Sequence, residues 1–186
     1  MFKYTRFLGI LIALALGAAH LMTPSPATAA SAAEIDQGVN SSLKKLYKTT
    51  PSAKALAEKA KGILVFPSII KGGFIVGGQY GEGALRKGAK TIGYYNTVSA
   101  SYGLQIGVQK YGYALFFMTE ASLGYLGKSD GWEVGVGPSF VIVDTGTAKT
   151  MTTTTAQAEI YAFFFNQKGL MAGLGLQGTK ITKIEK

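Results

Sequence analysis

The chain has 186 residues, 47% of them apolar and 16% charged, which fits about one domain and excludes an intrinsically disordered chain. It has no Cys, and its one His is His20, inside the leader described next. A mature form therefore excludes thiol nucleophiles, disulfides, iron–sulfur clusters, thiolate or imidazole zinc sites, and every Ser-His or Cys-His catalytic arrangement. The formal charge is +9, and its partners follow from where the chain resides.

Residues 1–29 read as a secretory signal peptide. Lys3 and Arg6 open it, Phe7 to Leu16 is an unbroken apolar or Gly run, and Pro24 and Pro26 follow. Ala27-Thr28-Ala29 supplies a small-residue cleavage site. The run is shorter than the roughly 20 residues of a membrane-spanning helix. No Cys follows it to carry a lipoprotein anchor. The expected location is the periplasm, with peripheral contact to a membrane. Loss of Lys3 and Arg6 leaves a charge of +7. A basic exported chain meets anionic lipid rather than nucleic acid, and each Lys near such a surface contributes about 1 kcal/mol. Positive charge also serves plain solubility.

Residues 30–61 are patterned as a helical arm. Ser31 and Glu34 form a capping-box pair. Ile35, Val39, Leu43, Leu46 and Tyr47 recur at helical spacing, with Lys44, Lys45 and Lys48 on the opposite side. Thr50-Pro51 reads as the start of a second short helix through Ala60, with Gly62 as its stop. From Ile63 onward, glycines alternate with β-branched and aromatic residues. Strands are expected at Ile63–Phe66, ended by Pro67, and at 74–76, 91–100, 104–108, 111–118, 132–143, 160–165 and 170–176. Thr119 to Leu126 reads as one short helix capped by Thr119. The glycine pairs Gly135/Gly137 and Gly173/Gly175 would each leave one strand face bare for close packing. Trp132 and Phe74 are expected in the core.

Several short motifs carry no chemistry once their context is weighed. Gly173 to Gly178 matches the dinucleotide G-x-G-x-x-G, yet it alternates like a strand and no acid follows at the required distance. Gly83 and Gly88 have phosphate-loop spacing, but Ala89 stands where Lys is needed. Ser41, Ser42 and Ser68 each begin an S-x-x-K. The companion elements of penicillin-recognising enzymes are incomplete, since Ser129-Asp130-Gly131 only resembles one and the other is missing. The ten carboxylates are scattered, and a facing pair such as Glu120 and Glu133 is suggested by no spacing. The basic face of the arm, with Lys44, Lys45, Lys48, Lys54, Lys59 and Lys61, fits a solvated helix and a membrane-surface helix equally well.

Six segments in order carry a family likeness. They are Gly62-Ile63-Leu64-Val65-Phe66-Pro67-Ser68; Lys71-Gly72-Gly73 through Gly81-Glu82-Gly83; Gly103-Leu104-Gln105-Ile106-Gly107; Phe117-Met118-Thr119-Glu120; Gly131-Trp132-Glu133-Val134-Gly135; and Gln167-Lys168-Gly169 through Gly173, continued at Gly178-Thr179-Lys180-Ile181. The chain resembles the SYLF domain family, whose eukaryotic members bind phosphoinositides and regulate actin. The resemblance implies anionic-lipid binding through Lys44, Lys45 and Lys48 on the arm and Lys71, Lys168 and Lys180 in the motifs. It implies no catalytic residue and no cofactor.

The expectation is an α+β unit: a signal peptide over 1–29, a helical arm over 30–61 and a SYLF-like β-rich domain over 62–186. The arm packs on a curved, Gly-rich antiparallel sheet or partial barrel, so that 30–186 is one structural unit. The expected function is a periplasmic, non-enzymatic module touching anionic phospholipid or a lipid-linked envelope component. Cytoskeletal actin is not met in that compartment. A structural envelope protein without a lipid ligand and a small outer-membrane barrel are the alternatives.

Overall fold

The computed structural model describes residues 29–73, 76–102, 107–143, 157–168, 176 and 178–186. The fold is α+β, an N-terminal pair of helices followed by an eight-stranded curled sheet.

Helix α1 spans Ala32–Thr49. Ser31 caps it reciprocally: the Ser31 N–H donates to Glu34 Oε2 at 2.8 Å and the Glu34 N–H to Ser31 Oγ at 3.3 Å. That pairing satisfies two otherwise orphaned amides and holds the Glu34 carboxyl below its usual range, mainly through the Ser31 backbone. Ile35, Val39, Ser42 and Leu46 are buried on one face, with Leu43 and Tyr47 half-buried beside them. Helix α2 spans Pro51–Ala57, with Pro in its first turn. It ends short of Gly62 because the Lys61 N–H already pairs with the Phe117 carbonyl at 2.7 Å. Gly62 thus opens a strand instead of stopping a helix.

The strands are β1 (Gly62–Gly73), β2 (Val76–Lys87), β3 (Lys90–Tyr102), β4 (Gly107–Phe117), β5 (Trp132–Glu133), β6 (Phe140–Val143), β7 (Ile160–Lys168) and β8 (Lys180–Ile184). Helix α3 (Glu120–Gly124) and one 3₁₀ turn (Tyr125–Gly127) separate β4 from β5. As the sequence suggests, Thr119 caps α3 by accepting the Ser122 N–H at 3.0 Å. The sheet order is β5-β8-β3-β2-β1-β4-β7-β6. All pairings are antiparallel except β6 with β7, which is parallel. A parallel neighbour needs a crossover of about a dozen residues or more, and residues 144–159 provide that length.

Several expectations are corrected by this arrangement. Pro67 does not end β1; the strand runs through it, and the register slips between Val65 and Ser68 against β2 and between Phe66 and Ile69 against β4. A bulge is where a residue without an N–H is tolerated inside a sheet. The expected strand 132–143 splits into β5 and β6, with Gly135 and Gly137 at φ 100° and 98° in the connection. These two glycines therefore supply positive φ rather than a bare strand face. Strands β2 and β8 lie where the sequence reading placed almost no strand. Phe74 and the Gly173/Gly175 pair lie outside the described residues.

Two cross-sheet contacts define the curl. Tyr113 of β4 donates to Thr97 Oγ1 of β3 at 2.7 Å, over two intervening strands. The Trp132 ring of β5 meets the Phe117 ring of β4 at 5.9 Å. In a flat sheet β5 and β4 would be about 24 Å apart, five spacings of ~4.8 Å. The concave face therefore folds over its own core, which includes Leu64, Phe66, Tyr111, Tyr113, Leu115, Phe117 and Trp132. The convex face is closed over part of its area by α1 and α2, which pack Ile35, Val39, Leu46, Ala53 and Leu56 onto Ile63, Val65, Ala84, Ala114 and Phe116. A membrane barrel would present a lipid-facing apolar band there; this face instead carries helices.

Candidate lipid-contact surface

The β1 bulge organises the region around it. A Cβ on Gly81 would lie 2.7 Å from the Ser68 carbonyl, and one on Gly112 would lie 2.9 Å from the Phe66 carbonyl. At Gly83 it would meet the Val65 carbonyl and the Phe66 ring. Glycine on both flanking strands is thus what lets the bulged backbone sit in the sheet. From the helix side, a Cβ on Gly38 would be 3.0 Å from the Pro67 ring, so α1 crosses close above the bulge.

A clasp ties the start of the arm to the sheet. Lys186 Nζ donates to Glu82 Oε2 and to the Ala30 carbonyl, both at 2.9 Å. Both side chains of the ion pair are only 10% exposed. Tyr80 donates its phenolic proton to Glu82 Oε1 at 2.8 Å, and the Ala30 N–H also donates to this carboxylate. Burial pushes the Glu82 carboxyl up, but the bonds from Lys186, Tyr80 and Ala30 outweigh it and hold it below its usual value. The Tyr80 phenol is pushed up to about 12 by burial and by Glu82. Farther along the arm, Asp36 accepts from Thr91 at 2.6 Å and from Tyr94 at 3.0 Å, with Arg86 at 3.8 Å.

The six candidate lysines divide among three places. Lys44, Lys45 and Lys48 are exposed on α1, Lys44 and Lys48 facing away from the buried side and Lys45 at its flank. Lys45 Nζ donates to Asn166 Oδ1 of β7 at 2.6 Å, so it also helps hold the arm to the sheet. Asn166 sits at φ 56°, a conformation that Asn tolerates. Lys71 is half-buried and pairs with Gln79 and Gln109. By strand alternation from buried Ile69 it faces the concave side. There Tyr111 donates to Gln79 Oε1 at 2.6 Å and Gln79 Nε2 donates to Thr179 at 3.2 Å.

Lys168 and Lys180 belong to the opposite, convex side. The register aligns Lys168 of β7 with Lys110 of β4, Ile70 of β1, Tyr80 of β2, Val98 of β3 and Lys180 of β8. Directly opposed residues share a face, so these six form one row across the sheet, ended by Glu133 of β5. Ile70 is 58% exposed, Tyr80 49% and Val98 45%. The next row holds Val108, 75% exposed, beside Gly72, Gly78 and Ala100. Single-strand inspection missed this row because its members come from six strands; the sequence shows only isolated apolar residues among glycines.

Two further carboxylates lie beside lysines. Glu120 pairs with Lys87 at 3.4 Å, and Glu133 lies opposite Lys180. The Ser41 hydroxyl donates to the Gly38 carbonyl at 2.9 Å within its own helix. Among the described residues, no cluster of three or more His, Cys, Asp or Glu could hold a metal ion, and no helix is long and apolar enough to cross a membrane.

Residues 98–186 match the family model Ysc84, described as Las17-binding protein actin regulator. This range takes in the family-like segments from Gly103 onward; those from Gly62 to Gly83 precede it. No curated protein matches the chain.

Proposed function

We propose, from the match of residues 98–186 to the Ysc84 family model, that this chain is a non-enzymatic module of the bacterial periplasm that binds anionic membrane lipid. The resemblance to SYLF domains supplies the ligand class, and the leader-like residues 1–29 supply the compartment. In that compartment cytoskeletal actin is not the partner, so the family's actin role does not carry over.

The observation that supports the reading is the division of α1. Its apolar residues Ile35, Val39 and Leu46 are sealed against the sheet, while Lys44, Lys45 and Lys48 remain outside. An arm in that state cannot lie in a bilayer on its apolar face, so its own contribution to lipid contact is electrostatic. At about 1 kcal/mol per basic residue, three lysines amount to roughly a hundredfold in affinity.

Co-sedimentation with vesicles tests this. Protein in the form the cell accumulates should bind vesicles of phosphatidylglycerol and phosphatidylcholine, but not phosphatidylcholine alone. Combining Lys44→Glu, Lys45→Glu and Lys48→Glu should weaken binding at least a hundredfold with an unchanged circular dichroism spectrum. Wild-type protein that ignores anionic vesicles at low salt refutes the lipid reading.

A further inference from the structure

The convex face beyond the arm presents apolar side chains to solvent where a soluble sheet would normally carry polar ones. Ile70, Tyr80 and Val98 are adjacent across β1, β2 and β3, and Val108 of β4 stands in the next row. Val108 leans over Gly72, where a Cβ would lie 3.8 Å from its Cγ2. The glycines and Ala100 around it keep the surface low, so the larger side chains protrude. Lys168 and Lys110 flank this strip on one side and Lys180 on the other. From Lys168 to Lys180 the row runs about 24 Å along the sheet at ~4.8 Å per strand.

We propose that this lysine-flanked apolar strip is the face that seats on an anionic bilayer, with Ile70, Val98 and Val108 entering the boundary between headgroups and acyl chains. The inference rests on the lipid reading above and moves the principal contact from the arm to the sheet. Charge complementarity selects the occupant. Lys110, Lys168 and Lys180 surround the strip, and its acidic neighbours are Glu133, at the far end of the row, and Glu82, which accepts the Tyr80 phenolic proton. Lysines are depleted in protein–protein interfaces. At a bilayer surface they keep the ammonium among phosphates while the stem lies on apolar surface, and Tyr favours the same level. Glu82, the nearby acid of β2, is already neutralised by Lys186. The arm cannot supply this insertion, since its apolar face is occupied by the sheet.

The strip also accounts for a component of binding that salt should not remove. Lysine contacts are screened beyond ~3 Å at 1 M salt; burial of aliphatic side chains is not.

The experiment uses vesicles of equal parts phosphatidylglycerol and phosphatidylcholine. Combining Ile70→Ser with Val98→Ser should lower affinity at least tenfold and abolish what remains at high salt, with an unchanged melting temperature because both sites are exposed. A Val108→Trp reporter should be quenched by brominated acyl chains. Trp132, 1% exposed, should not be, and neither should Ile92→Trp, a control six residues from Val98 in the same strand. Wild-type binding that the double variant retains in full, with an unquenched reporter, overturns the strip and leaves the arm as the lipid site. Absence of wild-type binding overturns the lipid reading itself. A dimer dissociated by Ile70→Ser, with vesicle binding unchanged, overturns it in favour of a second copy of this chain.

Discussion

Glu82 shows how much one side chain can hold in this fold. Its carboxylate accepts from Lys186, Tyr80 and Ala30, joining the arm, β2 and the segment after β8. Removing one member of a nearly buried ion pair leaves its partner's charge uncompensated, at a cost near the lower end of the usual range, about 3 kcal/mol. Glu82→Gln should therefore lower the urea midpoint at neutral pH. The pH dependence has a definite sign. The folded pKa lies below the unfolded value, so the stabilisation is complete above the unfolded pKa and is lost as pH falls through the folded one. Wild-type protein should lose more stability than Glu82→Gln between neutral pH and ~pH 3. Parallel acid limbs for the two proteins would show that Glu82 is not held as described. Gly83 is the second sensitive residue. A Cβ there meets the Val65 carbonyl and the Phe66 ring, so Gly83→Ala should cost about 1–3 kcal/mol through overpacking, read from the same urea titration.

The elements divide by how local their determinants are. Helix α1 was legible because its cap and its apolar spacing lie within one segment; Ser31, Glu34, Ile35, Val39 and Leu46 act as the sequence implies. The α3 cap at Thr119 was legible for the same reason. Strand β2 was not, since Gly77, Gly78, Gly81 and Gly83 erase its alternation. Those at 81 and 83 are set by the bulge of β1, a long-range demand that no window on β2 contains. Pro67 misled in the same way, because a proline that ends an isolated strand is accommodated once two glycine-bearing neighbours accept a bulge. Lys44, Lys45 and Lys48 were legible as arm residues, but the division of Lys71 from Lys168 and Lys180 between the concave and convex faces follows from pairing register. Trp132 in the two-residue β5 illustrates a short element fixed by packing. Its ring meets Phe117 and Tyr125, and its indole N–H donates to the Val136 carbonyl at 2.9 Å. Trp132→Ala should cost 3–5 kcal/mol by the usual range of roughly that size for buried aromatics. At ~2–4 °C per kcal/mol the melting temperature should fall by about 10 °C. An unchanged melting curve would mean that β5 contributes nothing to closing the sheet.

At the scale of the whole molecule, the leader proposed over residues 1–29 would meet the folded unit at Ala30. Cleavage after Ala27-Thr28-Ala29 would make Ala30 the first residue. Its backbone nitrogen is the atom that already donates to Glu82, and its carbonyl accepts from Lys186. Processing would replace a neutral amide donor on that carboxylate with an ammonium, and charge-assisted bonds are roughly twice as strong as neutral ones. Intact-mass measurement on protein from the periplasmic fraction should therefore give a chain beginning at Ala30. Chemical acetylation confined to the Ala30 amine should destabilise that chain by about 1 kcal/mol, the difference between a charged and a neutral donor. The effect should vanish in Glu82→Gln, where the carboxylate is gone. Recovery of the full chain from the membrane fraction would reverse the assignment of residues 1–29. A processed chain indifferent to acetylation would keep the cleavage and remove the ammonium from the clasp.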